Sequence, residues 1–181
     1  MTESQREVVL LDFVRRLKEG GSWCGETHIQ KTTYFLQEFM KVPLDLNYIF
    51  YKHGPFSFEL NDRLTALRGN DLVELRSHPP YGPHLHASAS AIKYLEHFPQ
   101  TIGNYESAMD FVVQKLAAKN VADLERLSTA LYVRMEMPNA DERTLSAEMN
   151  RLKPHVSIQD ASESLRQVEA YEQDRIAIMS E

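Results

Sequence analysis

Histidines, a single cysteine and a scatter of cations are the side chains of this sequence whose types could do chemistry. His78, His84 and His86 flank the stretch Pro79-Pro80-Tyr81-Gly82-Pro83. Alternate residues of a strand project to one side, so His84 and His86 could ligate a metal together. Structural zinc sites ask for four ligands, commonly with cysteines at set spacings, and no cysteine accompanies this pair. The expectation is packing around a turn, with no metal and no cofactor. Cys24 stands beside Trp23. A thiol turns reactive when a nearby cation or helix start favours its thiolate; nothing in the sequence places one there, so Cys24 is expected to be structural. The residue patterns of phosphate loops, dinucleotide folds, nucleophile elbows and zinc proteases are absent from the chain. No catalytic residues are expected, and the protein is read as not an enzyme.

The remaining chemistry is that of contact. Tyr51-Lys52-His53-Gly54-Pro55-Phe56-Ser57 combines a turn signal with two aromatic rings and a cation. Tyr51, Lys52, His53 and Phe56 are the candidates for gripping a protein, while Phe56 and Phe58 are also expected to plug the core and Ser57 to cap a helix. For nucleic acid the candidates are Lys31, Arg63, Arg68 and Arg76, which could reach phosphates or base edges. Glu59 and Asp62 sit among them and oppose that use.

These residues must be positioned by helices. Leu10, Phe13, Val14 and Leu17 repeat at three and four over Val8–Leu17, and Gly20-Gly21 stops that helix. Thr27 and Gln30 have the spacing of a capping box for a second helix, with Ile29, Thr33, Leu36 and Met40 on one face and Pro43 as the stop. Leu46–Tyr51 is a strand or an extended linker. Ser57 opens a third helix with Leu60, Leu64 and Leu67 inward. Leu72–Arg76 and His84–Ala87 then read as paired strands. Beyond Ser90 everything is helical, with Asn120 and the Ser157/Asp160 pair as caps. The fold class expected is mainly α with a small β-hairpin: a winged helix-turn-helix core over residues 1–98, and a C-terminal helical region, 99–181, packed on it.

Two of these stretches together resemble a known family. Ile29-Gln30-Lys31-Thr32-Thr33-Tyr34-Phe35-Leu36, followed by Tyr51-Lys52-His53-Gly54-Pro55-Phe56-Ser57, is similar to the Panacea antitoxin domain and related prokaryotic proteins with a Tyr-x-x-Gly-Pro-aromatic-Ser turn. The likeness runs over roughly residues 8–98. Many members carry Trp before the turn, where this chain has Phe50-Tyr51. The resemblance implies a mostly helical, winged-helix-like fold and a role in neutralising toxins, or as an adaptor or regulator, without catalysis.

Charge refines the choice of partner. The net charge is −6, from 20 Lys and Arg against 26 Asp and Glu. Residues 1–100 carry 11 basic and 12 acidic side chains, and residues 101–181 carry 9 and 14. DNA binding needs a basic stripe, which only the first half could hold. The reading that follows is a non-enzymatic regulator that binds a protein, a toxin or a client. The alternative is a winged-helix DNA-binding transcriptional regulator, with Leu165 and Val168 of the last helix pairing two subunits. No uninterrupted apolar run is long enough for a membrane span, and the N-terminus has no signal-peptide pattern, so a cytoplasmic protein is expected.

Overall fold

Thr2 and Gln5 close a reciprocal capping box that starts the first helix, α1 (Glu3–Glu19), five residues before its apolar stripe begins. The computed structural model describes residues 1–179, and 65% of the chain is helical. The second helix, α2 (Glu26–Tyr34), widens over Phe35–Phe39 into a π-turn, with Met40 N–H donating to the Phe35 carbonyl. Next come β1 (Ile49–Tyr51) and β2 (Gly54–Phe56), then α3 (Phe58–Gly69), β3 (Val73–His78) and β4 (Tyr81–Ala87). Five helices complete the described chain: α4 (Ala89–Leu95), α5 (Pro99–Leu116), α6 (Val121–Glu136), α7 (Glu142–Leu152) and α8 (Ile158–Met179).

The caps expected at Ser57, Asn120 and Ser157 are made, by backbone N–H donation from Leu60, Asp123 and Asp160. The one at Thr27 is not. Gly25 occupies the N-cap of α2, and Gln30 turns its amide away from the helix start. Two antiparallel hairpins form where one was expected. β1 pairs with β2 as Ile49↔Phe56, Phe50↔Pro55 and Tyr51↔Gly54, and β3 pairs with β4.

A single buried cluster runs from Val8 to Tyr171. α1 packs on α5, and α2 packs on α6 and β2, so both halves of the chain share one interior. Every residue of α2 from His28 to Tyr34 is buried, polar ones included. Buried polar side chains call for partners within the protein: Thr32 bonds back to the His28 carbonyl of its own helix, while Gln30 and Lys31 reach Ser57 and Pro55 at the end of the β1–β2 hairpin. Leu165 and Val168 are buried in the same core, where α8 lies against α6 and α7. This corrects the expectation that they pair two subunits: they are already covered by their own chain.

Candidate functional site

The two motifs that carry the family resemblance are two sides of one clamp. The side-chain amide of Gln30 meets the backbone of Ser57 twice: Ser57 N–H donates to Gln30 Oε1 at 2.9 Å, and Gln30 Nε2 donates to the Ser57 carbonyl at 2.8 Å. Gln30 Nε2 also donates to Asn61 Oδ1 at 2.9 Å. One residue on, Lys31 Nζ donates to the Pro55 carbonyl at 2.8 Å. Gln37, two turns further along, repeats the device on another segment, exchanging two 2.8 Å bonds with the backbone of Leu46. An extended chain leaves backbone groups unpaired, and a glutamine amide offers a matching donor and acceptor. The buried Gln30 and the half-buried Gln37 are both used in this way.

From the other side α6 holds the turn. Gly54 has φ +95, and a Cβ there would meet Thr129 Oγ1 at 3.1 Å. Both its backbone angle and its neighbour favour glycine. His53 Nδ1 lies 3.1 Å from Glu125 Oε1, and the other oxygen of Glu125 accepts from Lys153 Nζ at 2.9 Å.

The strand pairing then sorts the hairpin side chains. Phe50 and Pro55 face inward, Phe50 against Tyr132 with ring centres 5.0 Å apart. Ile49, Tyr51 and Phe56 face outward, where Phe58 joins them. Ring centres are 5.9 Å apart for Tyr51–Phe56, 5.0 Å for Phe56–Phe58 and 6.0 Å for Tyr51–Phe58. The expected contact residues Tyr51, Lys52, His53 and Phe56 are thus brought together on one projecting hairpin. Phe58 does not plug the core: it is 57% exposed. Leu60, Leu64 and Leu67 define the buried side of α3, and a residue two before Leu60 falls on the opposite side of a helix. That spacing was the signal that Phe58 belongs to the surface.

Behind the aromatic rim lies a cavity of about 210 Å³ lined by Glu26, Thr27, Gln30, Lys31, Tyr51, His53 and Phe56. Lys31 is 1% exposed, which removes it from the surface where nucleic-acid contact was expected. Burial pushes its pKa down to about 8, with Lys153 pushing the same way and Glu125 and Glu26 pulling it up. A cation whose pKa falls on folding binds its proton more weakly in the native state. Its cost is therefore complete below about pH 8 and disappears as pH climbs toward the unfolded value of 10.5. Compared with a Lys31→Met variant, the wild type should gain about 3 kcal/mol between these limits in chemical-denaturation curves; a constant difference across that range would contradict the shift.

Arg63, Arg68 and Arg76, the other cations expected at nucleic acid, lie on α3 and β3. Arg63 is turned inward, donating to the Leu44 carbonyl at 3.0 Å and lying 3.5 Å from Glu3. Arg76 is exposed but doubly bonded to Glu74, and Arg68 is exposed on α3. The histidines of the β3–β4 hairpin pack on Trp23: its ring centre is 4.5 Å from His84, 5.8 Å from His78 and 5.4 Å from Tyr81. His84 and His86 do adjoin, with ring centres 4.7 Å apart. Among the described residues no three His, Cys, Asp or Glu side chains are placed to hold a metal. Cys24 is buried and its thiol is pushed up by that burial; its carbonyl accepts from Leu85 N–H at 2.9 Å, tying the hairpin to the body. No helix among the described residues is long and apolar enough to cross a membrane.

No known family model matches the chain, and no curated protein matches it.

Proposed function

We propose that this protein is a non-enzymatic regulator that acts by binding another protein, in the manner of an antitoxin or an adaptor, through the outer face of the β1–β2 hairpin. One observation carries the reading: exposed Ile49, Tyr51 and Phe58 gather around the half-buried Phe56 on the outer side of the hairpin. Exposed apolar groups gathered in one place are a property of contact surfaces. The clamp by Gln30 and Lys31 beneath this face means that the hairpin needs no ordering on binding, which lowers the cost of association. Lys52 and His53 at the tip add polar contacts on the rim. We read α1 to α3 with the β3–β4 ribbon as a winged helix-turn-helix that carries this hairpin as an addition. The acidic second half suits a basic partner, such as a toxin that itself grips nucleic acid, and the cytoplasm is the compartment in which we place the encounter.

The test is co-purification with the product of the neighbouring gene, together with rescue of growth when that product is toxic. Phe58→Asp is expected to weaken the complex at least tenfold, as truncating or charging a central aromatic anchor does, while the melting temperature stays close to that of the wild type. Equal recovery of partner by Phe58→Asp, Tyr51→Ser and the wild type would remove the hairpin from the interface.

A further inference from the structure

We propose that the cavity beneath Tyr51 and Phe56 is a receptor for a carboxylate borne by the partner. This rests on the hairpin being the contact surface, and it names the chemistry that surface selects.

Lys31 is a buried ammonium with no carboxylate in contact among the described residues. Lys31 and Lys153 are 1% and 2% exposed, and the half-buried Glu125 pairs with Lys153. Glu125 is already committed, with one oxygen on Lys153 Nζ and the other on His53 Nδ1. Among the described residues no carboxylate lies within ion-pair distance of Lys31, whose Nζ donates to the Pro55 carbonyl. An ammonium has three donors, so two remain for something else. Glu125 and Glu26 act on Lys31 only from beyond ion-pair distance, and a buried cation with no carboxylate in contact is costly to hold.

The cavity borders Lys31, with Glu26 on its rim. At about 210 Å³ it is smaller than the roughly 300–1,000 Å³ of sites for drug-sized ligands, and it suits one side chain or one chain terminus. Lys31, Gln30, Thr27, His53 and the Glu26 carboxylate supply the polar part of the wall, and Tyr51 and Phe56 the aromatic part. Glu26 on the rim is exposed and accepts from Asn61 Nδ2 at 2.9 Å. A carboxylate with an apolar or aromatic neighbour would place its charge against the ammonium and its carbon atoms against the rings. A bound carboxylate would supply the ion-pair contact that Lys31 lacks, so the complex gains where the free protein is penalised.

Nuclear magnetic resonance on the whole chain tests this with small probes. N-acetylphenylalanine presents a chain-terminal carboxylate, and N-acetylaspartic acid amide a side-chain one; N-acetylphenylalaninamide has the ring without the charge. Added to tens of millimolar, at least one carboxylate should shift the Thr27, Gln30 and Gly54 amides saturably. The uncharged amide should bind at least tenfold more weakly. Whichever carboxylate binds tells whether the partner offers a terminus or a side chain. At about pH 8.5 binding should also take up protons, because an anion beside Lys31 favours its charged form. Lys31→Met should abolish the saturable shifts; should that variant not fold, the contrast of acid with amide on the wild type decides alone. Equal binding of amide and acid, no saturable shift with either acid, or wild-type binding by a folded Lys31→Met would each overturn the proposal. Phe58 does not line the cavity, so probe binding that persists alongside partner binding indifferent to Phe58→Asp would sink the hairpin interface and leave the receptor standing.

Discussion

Replacing Gln30 with alanine is expected to be among the most damaging single changes in this protein, although it touches no hydrophobic contact of the core. The backbone N–H and carbonyl of Ser57 both bond to the Gln30 amide, in a place where Ser57 and Gln30 are essentially closed to water. Each buried group left unpaired costs about 1–3 kcal/mol, so the loss should reach about 2–6 kcal/mol. For a chain of this size that lowers the melting temperature by roughly 5–20 °C. Gln30→Glu keeps the shape and one acceptor but removes the donor to the Ser57 carbonyl, so it should not rescue stability. Differential scanning calorimetry of the two variants checks this; a melting temperature within a degree or two of wild type for Gln30→Ala would show that the clamp is dispensable.

Asp12→Ala should have the second large effect. Asp12 is fully buried in the middle of α1 and accepts from Arg15 at 2.5 Å and from Arg16 at 2.7 Å. Arg16 reaches across to Glu106 and Asp110 of α5, so the carboxylate orients the guanidinium that joins the two halves of the chain. Removing one partner of a buried ion pair costs about 3–5 kcal/mol when the other charge is stranded. Here both arginines keep other carboxylates and some access to water, which reduces the expected loss to about 2–3 kcal/mol. Asp12→Asn retains an acceptor and should recover part of it. Urea-unfolding midpoints for Asp12→Ala and Asp12→Asn measure both; identical midpoints for the two would mean that the interaction is not one of charge.

The helices were largely legible because their signals are local. Ser57, Asn120 and Ser157 begin helices by bonding within three residues of themselves, and the leucine spacing of α3 survives in its burial pattern. What the sequence hid is long-range. Gln30 sits at capping-box distance from Thr27, but its amide is used 27 positions away. Lys31 looks like a solvated helix residue because nothing in α2 reveals that the helix is enclosed on every side. Its enclosure comes from α6 and β2, which lie outside any local window. The same reason explains Arg63, whose partners are the Leu44 carbonyl and Glu3. Of the candidate contact residues, the four in the turn stayed together because a hairpin is itself a local structure. Among the four cations, Lys31 and Arg63 are engaged inward by segments distant in the sequence, which no local window shows.

The interior shared by α1, α2, α5 and α6 constrains how such a protein can change by descent. Neither half presents a finished exterior, so recombination that exchanged one of them would have to import a complementary partner along with it. If the hairpin is the contact surface proposed above, variation in specificity is channelled to its rim and the cavity mouth, where a substitution disturbs a neighbour or two and the trunk goes on folding unchanged.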